Sequence, residues 1–557
     1  MMTVVYGAEA QQQTQEESLL PDIDPQDIEI RGNFTARFLG LNRQPILGFN
    51  PTPRVYQIDP NRSPFMESPD QILANLPVSE LSRPKPPSIN VMTFPQQRNL
   101  YSSVGFGRFS SPEGELYGNY KLNERSGFWF DGEFASSDGH FDDPVTSYRF
   151  FDGKVGYIMR PAENKSLKIT AGGLSDFNHT FNIGTSAFLP ETPEKEYTGF
   201  SAGVSYQTLK NSFTGWQFNA QLDVFNTDLL ARQFSGENDE LTFEGNAQYQ
   251  WAGKNLNEVF KVQVNGLLGN YETLAGGDDT WSTVSGGISY RRTLSYKTTI
   301  DIAANLYLTD NEIEGSDFYI LPDITISHWL SEKMKASIIA RGNVFARSNK
   351  EHHQTNRFLN TNLDIKHTRS LEGTARIDYE LQKGTVIKGG ISYFDTNDYA
   401  YYLRTGILGN DGFFEAFYGD VNFISGFAGF THYLVPQKFW VDVEATLQNR
   451  ELDSNEFPQL DEVPFLENLR AKGSLSYDTG ALFSARLWAD FSSSRFSPQS
   501  REDLDSFFLL GIRTDFAITD AIGIYLKTEN LFNQDYEIWR GYEERPIQFY
   551  GGITITL

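Results

Sequence analysis

Apolar and polar residues alternate along one segment of this chain after another, each about ten to fourteen residues long. In residues 216–224, Trp, Phe, Ala, Leu and Val take every second position, and Gln, Asn, Gln and Asp fill the positions between them. Residues 300–308, 439–447 and 547–557 show the same division. A period of two is the period of a β-strand, in which successive side chains point to opposite faces. The pattern therefore predicts an all-β protein.

The length of these segments separates two kinds of β protein. Strands of a soluble sandwich are usually about five or six residues long, and their apolar side faces an inner core. A strand that crosses a bilayer needs roughly 9 to 11 residues, with apolar residues toward lipid and polar residues toward the lumen. The chain also lacks the run of about 18 apolar residues that a membrane-spanning helix requires. We therefore expect a transmembrane antiparallel up-and-down β-barrel.

The connections between the segments alternate between short turns and long loops. The short turns lie at 123–126, 162–165, 331–333, 382–384, 436–437, 478–480 and 519–520, and the long loops at 135–145, 178–196, 227–239, 270–281, 347–370, 397–413, 449–466, 494–505 and 534–545. Outer-membrane barrels have short periplasmic turns and longer external loops. This alternation predicts about 22 strands, with 18 or 20 as alternatives. An even number places both ends of the barrel on the periplasmic side.

The first hundred residues differ in composition from the rest of the chain. Residues 1–10 contain the small-residue pattern Ala8-Glu9-Ala10 and are predicted to be the remainder of a signal peptide, so that the protein is exported. Residues 11–97 hold 13 of the 24 prolines, which helices and central strands accept poorly. We expect residues 11–97 to form an extended periplasmic or lumenal segment and residues 98–557 to form the barrel.

Composition excludes several classes of function. Acidic residues outnumber basic residues by 72 to 47, which gives a formal net charge of −25. This balance argues against nucleic-acid binding, because neutralising phosphates requires clustered Lys and Arg. The chain has no cysteine, which removes thiolate metal sites and cysteine nucleophiles.

Three short motifs have a chemical interpretation, and each has a simpler one. Residues 199–203 match Gly-x-Ser-x-Gly, but they belong to an alternating strand without the strand-to-helix turn of a nucleophile elbow. Residues 310–315 begin like a calcium loop, yet Leu321 occupies the twelfth position. His352 and His353 have no further ligand at metal-binding spacing and are predicted to be surface residues. We therefore predict no catalytic, cofactor-binding or metal-binding residue and do not expect an enzyme.

Aromatic residues in two of the long loops are the candidates for ligand recognition. They are Tyr399, Tyr401, Tyr402, Trp539 and Tyr542. Such rings could stack on sugars, peptides or chelates. The alternative is that they pack within the loops or belong to the aromatic girdle at the membrane boundary, where Tyr and Trp are enriched.

The C-terminal part of the chain resembles the TonB-dependent receptor barrels of Gram-negative outer membranes. Residues 526–537 (LKTENLFNQDYE), Pro546 and residues 549–553 (FYGGI) are similar to the penultimate strand, last loop and closing strand of that family. Residues 358–363 (FLNTNL) resemble its Asn-rich mid-barrel loop, and residues 418–422 (YGDVN) resemble a pattern of Bacteroidetes-type members. The resemblance covers residues 98–557. It implies a cell outer membrane location, contact with outer-membrane lipid, and a receptor or transport channel for an unidentified ligand.

Two departures from the family bear on function. Residues 11–97 are fewer and richer in proline than the folded plug of the family, so the chain resembles a plugless or reduced-plug variant. We find no TonB box near the start, which leaves coupling to TonB open. Residues 11–97 are then expected to occlude the lumen or to bind a periplasmic protein partner. The alternative function is a non-transporting barrel that serves as a scaffold or accessory subunit of an envelope complex.

Overall fold

The computed structural model describes residues 99–140, 146–179, 194–211, 214–231, 234–253, 257–272, 277–361, 363–404, 413–436, 438–480, 482–498 and 503–557, which belong to one compact unit. The expected signal segment, residues 1–10, and the proline-rich residues 11–97 lie outside the described residues. In the described part of the chain, no helix is long and apolar enough to cross a membrane.

Antiparallel strands pair in sequence order into a closed barrel of 22 strands. The strand β1 pairs on one side with β2 and on the other with β24, which closes the ring. The barrel strands are β1 (Leu100–Gly107), β2 (Ser111–Asn123), β3 (Ser126–Ser137), β4 (Tyr148–Ala162), β5 (Lys165–His179), β6 (Glu194–Asn211), β7 (Thr214–Ala231), β8 (Phe234–Ala252), β9 (Glu258–Glu272), β10 (Asp278–Ser295), β11 (Thr298–Asn311), β12 (Gly315–Ser331), β13 (Met334–Ala346), β14 (His367–Gln382), β15 (Thr385–Arg404), β16 (Phe414–Val435), β17 (Phe439–Asp453), β18 (Leu469–Asp478), β19 (Phe483–Ser492), β20 (Phe507–Ala517), β21 (Ile522–Glu529) and β24 (Gln548–Thr556). A short helix, α1 (Asn349–Thr355), follows β13, and β22 (Glu537–Trp539) and β23 (Tyr542–Glu543) form a separate small sheet. The expected fold class and the count of 22 strands are confirmed.

The two faces of each strand differ in polarity as the alternation predicts. On β7, Trp216, Phe218 and Leu222 are exposed on the outer face, and Gln217 and Asn219 occupy the alternate positions. Large apolar side chains are exposed in the same way around the ring, as at Val104, Phe200, Ile288, Ile338, Ile391 and Ile553. Exposing so much apolar surface to water would be unfavourable, whereas in a bilayer it faces acyl chains. The outer face is therefore the lipid-facing surface of a membrane barrel.

Several strands are longer than a membrane requires. The longest, β16, has 22 residues, about twice the roughly 9 to 11 residues that cross a bilayer. At one end neighbouring strands are joined by short turns, and β1 starts and β24 ends there. The strands therefore extend beyond the bilayer at the opposite end, which carries the long connections and is the external end.

Two of the expected loops overlap with strands. Residues 227–239 were expected to form a long loop, but β7 continues to Ala231 and β8 starts at Phe234. Residues 397–413 were expected to form another, but β15 continues to Arg404. Above the membrane both faces of a strand can be polar, as at the exposed Glu237 and the buried Glu240 of β8. The hydrogen-bonded ladder continues there without the apolar period that reveals it in the sequence.

The sheet splits at its external end between β12 and β13. The two strands pair only as far as Asp323 and Arg341, although both continue beyond this point. Above the split, Val344 of β13 packs on Tyr307 and Leu321, which lie on the inner face of β11 and β12. The external end of β13 therefore lies inside the ring, and it carries the segment that follows it into the bore.

Candidate functional site

The connection between β13 and β14 forms a compact structure that we call the outer cap, residues 348–366. It contains α1, whose first turn is fixed by a capping box: the Ser348 hydroxyl accepts from the Glu351 N–H at 3.2 Å, and the Glu351 carboxylate accepts from the Ser348 N–H at 2.9 Å. Reciprocal bonds of this kind satisfy two of the unpaired N–H groups at a helix start. The cap is a folded element although it lies in a loop.

Strands β7 and β8 bind the start of the cap through carboxylates on their inner face. The two oxygens of buried Glu240 accept hydrogen bonds from the N–H groups of Asn349 at 2.9 Å and Lys350 at 3.0 Å. The Lys350 ammonium group lies 2.8 Å from a carboxylate oxygen of Asp223. The first N–H groups of a helix have no acceptor within the helix, and Glu240 supplies acceptors for two of them in α1.

Strands β5 and β6 bind the middle of the cap. The ammonium group of Lys195, which is fully buried, donates to the carbonyl oxygens of Leu359 and of Arg357, the latter at 3.1 Å. The Arg357 guanidinium lies 3.9 Å from Asp176, whose carboxylate also accepts from the Tyr197 hydroxyl at 2.8 Å. Each buried charge thus has partners across the contact, as buried charges require.

The same short stretch of the cap is also bonded to β16. The Phe414 N–H donates to the Phe358 carbonyl at 2.9 Å, and the Asn360 N–H donates to the Phe414 carbonyl at 2.8 Å. Strands β5 and β16 are eleven positions apart (16 − 5 = 11) in a ring of 22, which makes them opposite members of the barrel. Four extended residues reach only about 14 Å, which is too short to span a ring of 22 strands, so Phe414, the first residue of β16, leans over the bore to meet residues 358–360. The outer cap and the external tip of β16 together therefore bridge the mouth of the barrel.

His352 of α1 joins the cap to β15 and β16. Its Nδ1 lies 3.0 Å from the Tyr402 hydroxyl and its Nε2 lies 3.3 Å from the Tyr418 hydroxyl. Tyr418 donates its own proton to the Asp364 carbonyl at 2.8 Å, so its oxygen accepts from Nε2–H and Nδ1 accepts from Tyr402. Burial, reinforced by the nearby Arg347 cation, lowers the pKa of His352 to about 3. The imidazole is therefore neutral in the closed cap.

The prediction that His352 and His353 are surface residues is wrong, because both are fully buried. The capping box, Ser348 and Glu351 three residues apart, was the signal in the sequence that a helix starts here. No comparable signal marks Lys195 or Glu240, since single charges on the inner face of a barrel strand are ordinary.

The five aromatic candidates divide between two clusters. Tyr402, Tyr542 and Trp539 belong with Phe358 and Phe414 to one apolar cluster, in which Phe358 and Tyr542 stack at 3.5 Å.

Tyr401 and Tyr399 alternate with Tyr402 along β15 and therefore lie on its other face, in a second cluster with Leu403, Val421 and Leu452. The structure thus brings together Tyr402, Trp539 and Tyr542 and separates them from the other two. Within the described ranges, no group of three or more His, Asp or Glu side chains is placed to hold a metal ion.

Comparison with known proteins identifies the fold. No protein-family model matches the chain, and no curated protein matches it significantly. Among solved structures, the ferric-catecholate import receptor Fiu from E. coli superposes with a TM-score of 0.62 at 11% identity, over 83% of this chain and 82% of that one. The copper transporter OprC gives 0.64 at 12% identity, over 82% of each chain. The siderophore receptor PirA from Acinetobacter baumannii gives 0.61 at 11% identity, over 83% of this chain and 81% of that one.

These neighbours are transport receptors rather than enzymes, and at such identities the likeness establishes the fold alone. The chain therefore has the fold of these receptors, which in this protein is a closed antiparallel barrel of 22 strands. Together with its apolar outer face, this fold defines an outer-membrane β-barrel.

Proposed function

We propose that this protein is an outer-membrane receptor or uptake channel of the TonB-dependent type, in which the outer cap gates the external mouth. The observation that carries the proposal is the bridge over the bore at residues 357–360, which bond to β5 and β6 and also to the external tip of β16, a strand from the opposite side of the ring. The neighbours with the same fold include an import receptor and a transporter. A ligand that enters from outside would have to displace this segment.

Residues 11–97 have a separate place in the proposal. Their length and proline content support a plugless or reduced-plug variant, in which this segment occludes the lumen or binds a periplasmic protein. In either arrangement the barrel has its own closing element on the external side. Coupling to TonB is not part of the proposal, because no TonB box is found in the sequence.

The aromatic candidates for ligand binding are proposed to act at the gate. In the closed cap, Tyr402, Trp539 and Tyr542 pack against Phe358 and Phe414. If the cap moves away, the rings that it covers lose their partner and face the external solvent, where a ligand can stack on them. Tyr399 and Tyr401 pack in the second cluster, with Leu403, Val421 and Leu452. They are proposed as ligand contacts only if movement of the external loops also exposes that cluster.

A disulfide between the cap and β8 tests whether the cap moves. A Cβ atom built on Gly236 lies 3.4 Å from the Cβ of Thr361, close to the roughly 3.5–4.5 Å of a disulfide. The chain has no cysteine, so Gly236→Cys/Thr361→Cys contains only the engineered pair. We expect single-channel conductance of the full-length variant in planar bilayers to be low when oxidised and to rise after reduction. The two single variants, which cannot form the bond, are the controls.

The scaffold function is the second candidate, and the depth of burial in the cap favours it. Leu359 and Ile365 are completely buried, as core residues of a stable domain are. If the conductance after reduction is as low as in the oxidised protein, release of the cap does not open the channel, which contradicts the proposed gate and favours the scaffold. A high conductance in both redox states would show that the cap does not close the mouth, and it would contradict the proposed gate.

A further inference from the structure

The inner face of the barrel carries an uncharged surface, the amide wall, that takes no part in the gate. It consists of amide side chains on four of the five strands from β7 to β11, namely Gln217, Asn219, Asn246, Gln248, Gln263, Asn265 and Asn305. The strand register places them in two adjacent rows that run across the strands. One row continues to Ser285, and in the other Gly287 stands between Gln263 and Asn305.

In the first row, each side chain donates a hydrogen bond to the next one, in order from β7 to β10. Asn219 donates to Asn246 at 3.2 Å, Asn246 donates to Asn265, and Asn265 donates to the Ser285 hydroxyl at 3.0 Å. Successive members stand on neighbouring strands, about 4.8 Å apart. Each amide is therefore held in one orientation by its neighbours.

The second row uses a glycine to bring two amides together. Gln248 donates to Gln217 at 2.8 Å, and Gln263 donates to Asn305 at 3.4 Å across Gly287. A Cβ at Gly287 would clash with the side-chain oxygen Oδ1 of Asn305, so a larger residue would separate the pair.

The rows leave hydrogen-bonding capacity toward the bore. A carboxamide has two N–H donors and an oxygen with two lone pairs, and the ladder uses at most one donor and one lone pair of each. Six of the seven side chains are half-buried, so they are accessible from the lumen. Since the side chains are already ordered, a ligand that bonds to them loses little further side-chain entropy.

The amide wall offers an anionic ligand no positive charge. Three guanidinium groups elsewhere on the inner face lie against carboxylates, with Arg341 3.3 Å from Asp323, Arg376 2.8 Å from Asp378, and Arg470 2.8 Å from Asp490. An anion would have to compete with a carboxylate for each of these three cations.

Strands β15 and β16 carry an aromatic surface on the same inner side of the sheet. Phe394 and Phe423 stack at 4.2 Å with an interplanar angle of 17°, and the Phe427 ring lies over Gly390. Ordered amides together with aromatic faces match a solute that has hydroxyl groups on its edges and apolar C–H faces.

We propose that the amide wall binds a neutral, hydroxyl-rich solute, an oligosaccharide, inside the lumen. The inference rests on the proposed function, because it names the class of solute that the gated channel takes up. It assigns recognition to hydrogen bonds from the two rows and an apolar contact to the phenylalanines of β15 and β16.

Current block by maltohexaose tests the proposal. Lys195→Met, which removes one of the bonds that hold the cap, is used to raise the open probability of the channel, and citrate serves as an anionic probe. We expect maltohexaose to block the current and citrate not to block it. Adding Asn246→Leu and Gln248→Leu should weaken the block at least tenfold. Thr325→Val, on the inner face of β12 outside the amide wall, is the matched control and should leave it unchanged.

Gln248→Glu, which keeps the size of the side chain, replaces the double variant if that variant does not fold. Block by citrate as strong as by maltohexaose, or block that persists in both wall variants, would overturn the proposal. If Lys195→Met conducts no current, equilibrium dialysis of labelled maltohexaose against the full-length protein decides the amide wall independently of the gate. Binding that Gln248→Glu reduces supports it, and no binding overturns it.

Discussion

The Tyr525 hydroxyl of β21 donates a hydrogen bond to the Glu113 carboxylate of β2 at 2.8 Å, across the two strands at which the barrel closes. The intervening strands β24 and β1 present Gly552 and Gly105 beneath the tyrosine side chain, and a Cβ at either position would clash with it. Lys527 adds a salt bridge to the same carboxylate at 2.7 Å. The closure of the ring thus includes a side-chain bond that spans four strands.

Replacing Gly552 by Ala is expected to destabilise the barrel strongly. The added Cβ would lie 2.4 Å from the Tyr525 ring and from the Val104 carbonyl oxygen, and backbone atoms cannot move away at low cost. We expect a loss of about 2–3 kcal/mol, measured by urea unfolding in detergent micelles. Gly266→Ala is the control, because nothing lies within 4 Å of its Cβ. Equal stability of the two variants would show that the close packing of Gly552 against Tyr525 is not needed for stability.

Lys195→Met is expected to loosen the outer cap without unfolding the barrel. It removes the donor to the Arg357 and Leu359 carbonyls and leaves two buried acceptors unsatisfied, at about 1–3 kcal/mol for each such group. Hydrogen exchange of residues 349–361 should speed up by at least tenfold, and exchange in β1 and β24 should not change. Lys383→Met, at an exposed turn on the opposite end, is the control. Unchanged exchange in the cap would mean that Lys195 does not hold it.

Phe358→Ala should weaken the cap through lost packing. Phe358 stacks on Tyr542 at 3.5 Å within a buried cluster, and truncation of a buried Phe costs about 3–5 kcal/mol. We expect limited proteolysis of the folded protein to cut within residues 348–366 in this variant and to spare them in the parent. Phe532→Ala, at a ring that is 62% exposed, should behave like the parent. Protection of the cap in Phe358→Ala would rule out this stack as a closing contact.

Acid is expected to open the cap through His352. The pKa of this group is lowered to about 3 in the closed state by burial, against roughly 6.5 when it is exposed. Above about pH 6.5 the imidazole is neutral in both states, and no effect is expected. As pH falls from about 6.5 toward 3, only the open state binds the proton, so the closed state loses about 1.4 kcal/mol per pH unit.

The measurement is hydrogen exchange of the cap between pH 5 and 8, corrected for the intrinsic rate, in the parent and in His352→Gln. The glutamine can bond to Tyr402 and Tyr418 without titrating, and other acidic groups are common to both proteins. We expect a steeper increase of opening toward acid in the parent. Parallel profiles would show that His352 does not contribute.

The strands of the barrel could be predicted from sequence because their signal is local. Alternation at Trp216, Phe218 and Leu222 reports directly which face meets lipid, and it is complete within one strand. The prediction failed at residues 227–239, where β7 and β8 leave the bilayer and both faces become polar. There the hydrogen-bonded ladder, which the sequence does not show, is what defines the strand.

The outer cap could not be predicted, because its contacts join residues far apart in the chain. Asn349 bonds to Glu240 across 109 positions and Leu359 to Lys195 across 164, and neither pair has a local pattern.

 The helix start at Ser348 is the one part of the cap with a local signature, and it gives no indication of where the helix binds. Adjacent residues such as Tyr401 and Tyr402 also look equivalent in the sequence, and only the direction of each side chain on β15 assigns them to different clusters.

The outer cap is covalently continuous with β13 and β14, which fixes its effective concentration at the mouth whatever the abundance of the protein. In the proposed gate, closure is therefore a unimolecular step that each copy completes alone and can repeat after every opening. A barrel that depended on a separate subunit for closure would leak whenever that subunit was scarce, and this chain avoids that dependence on its external side.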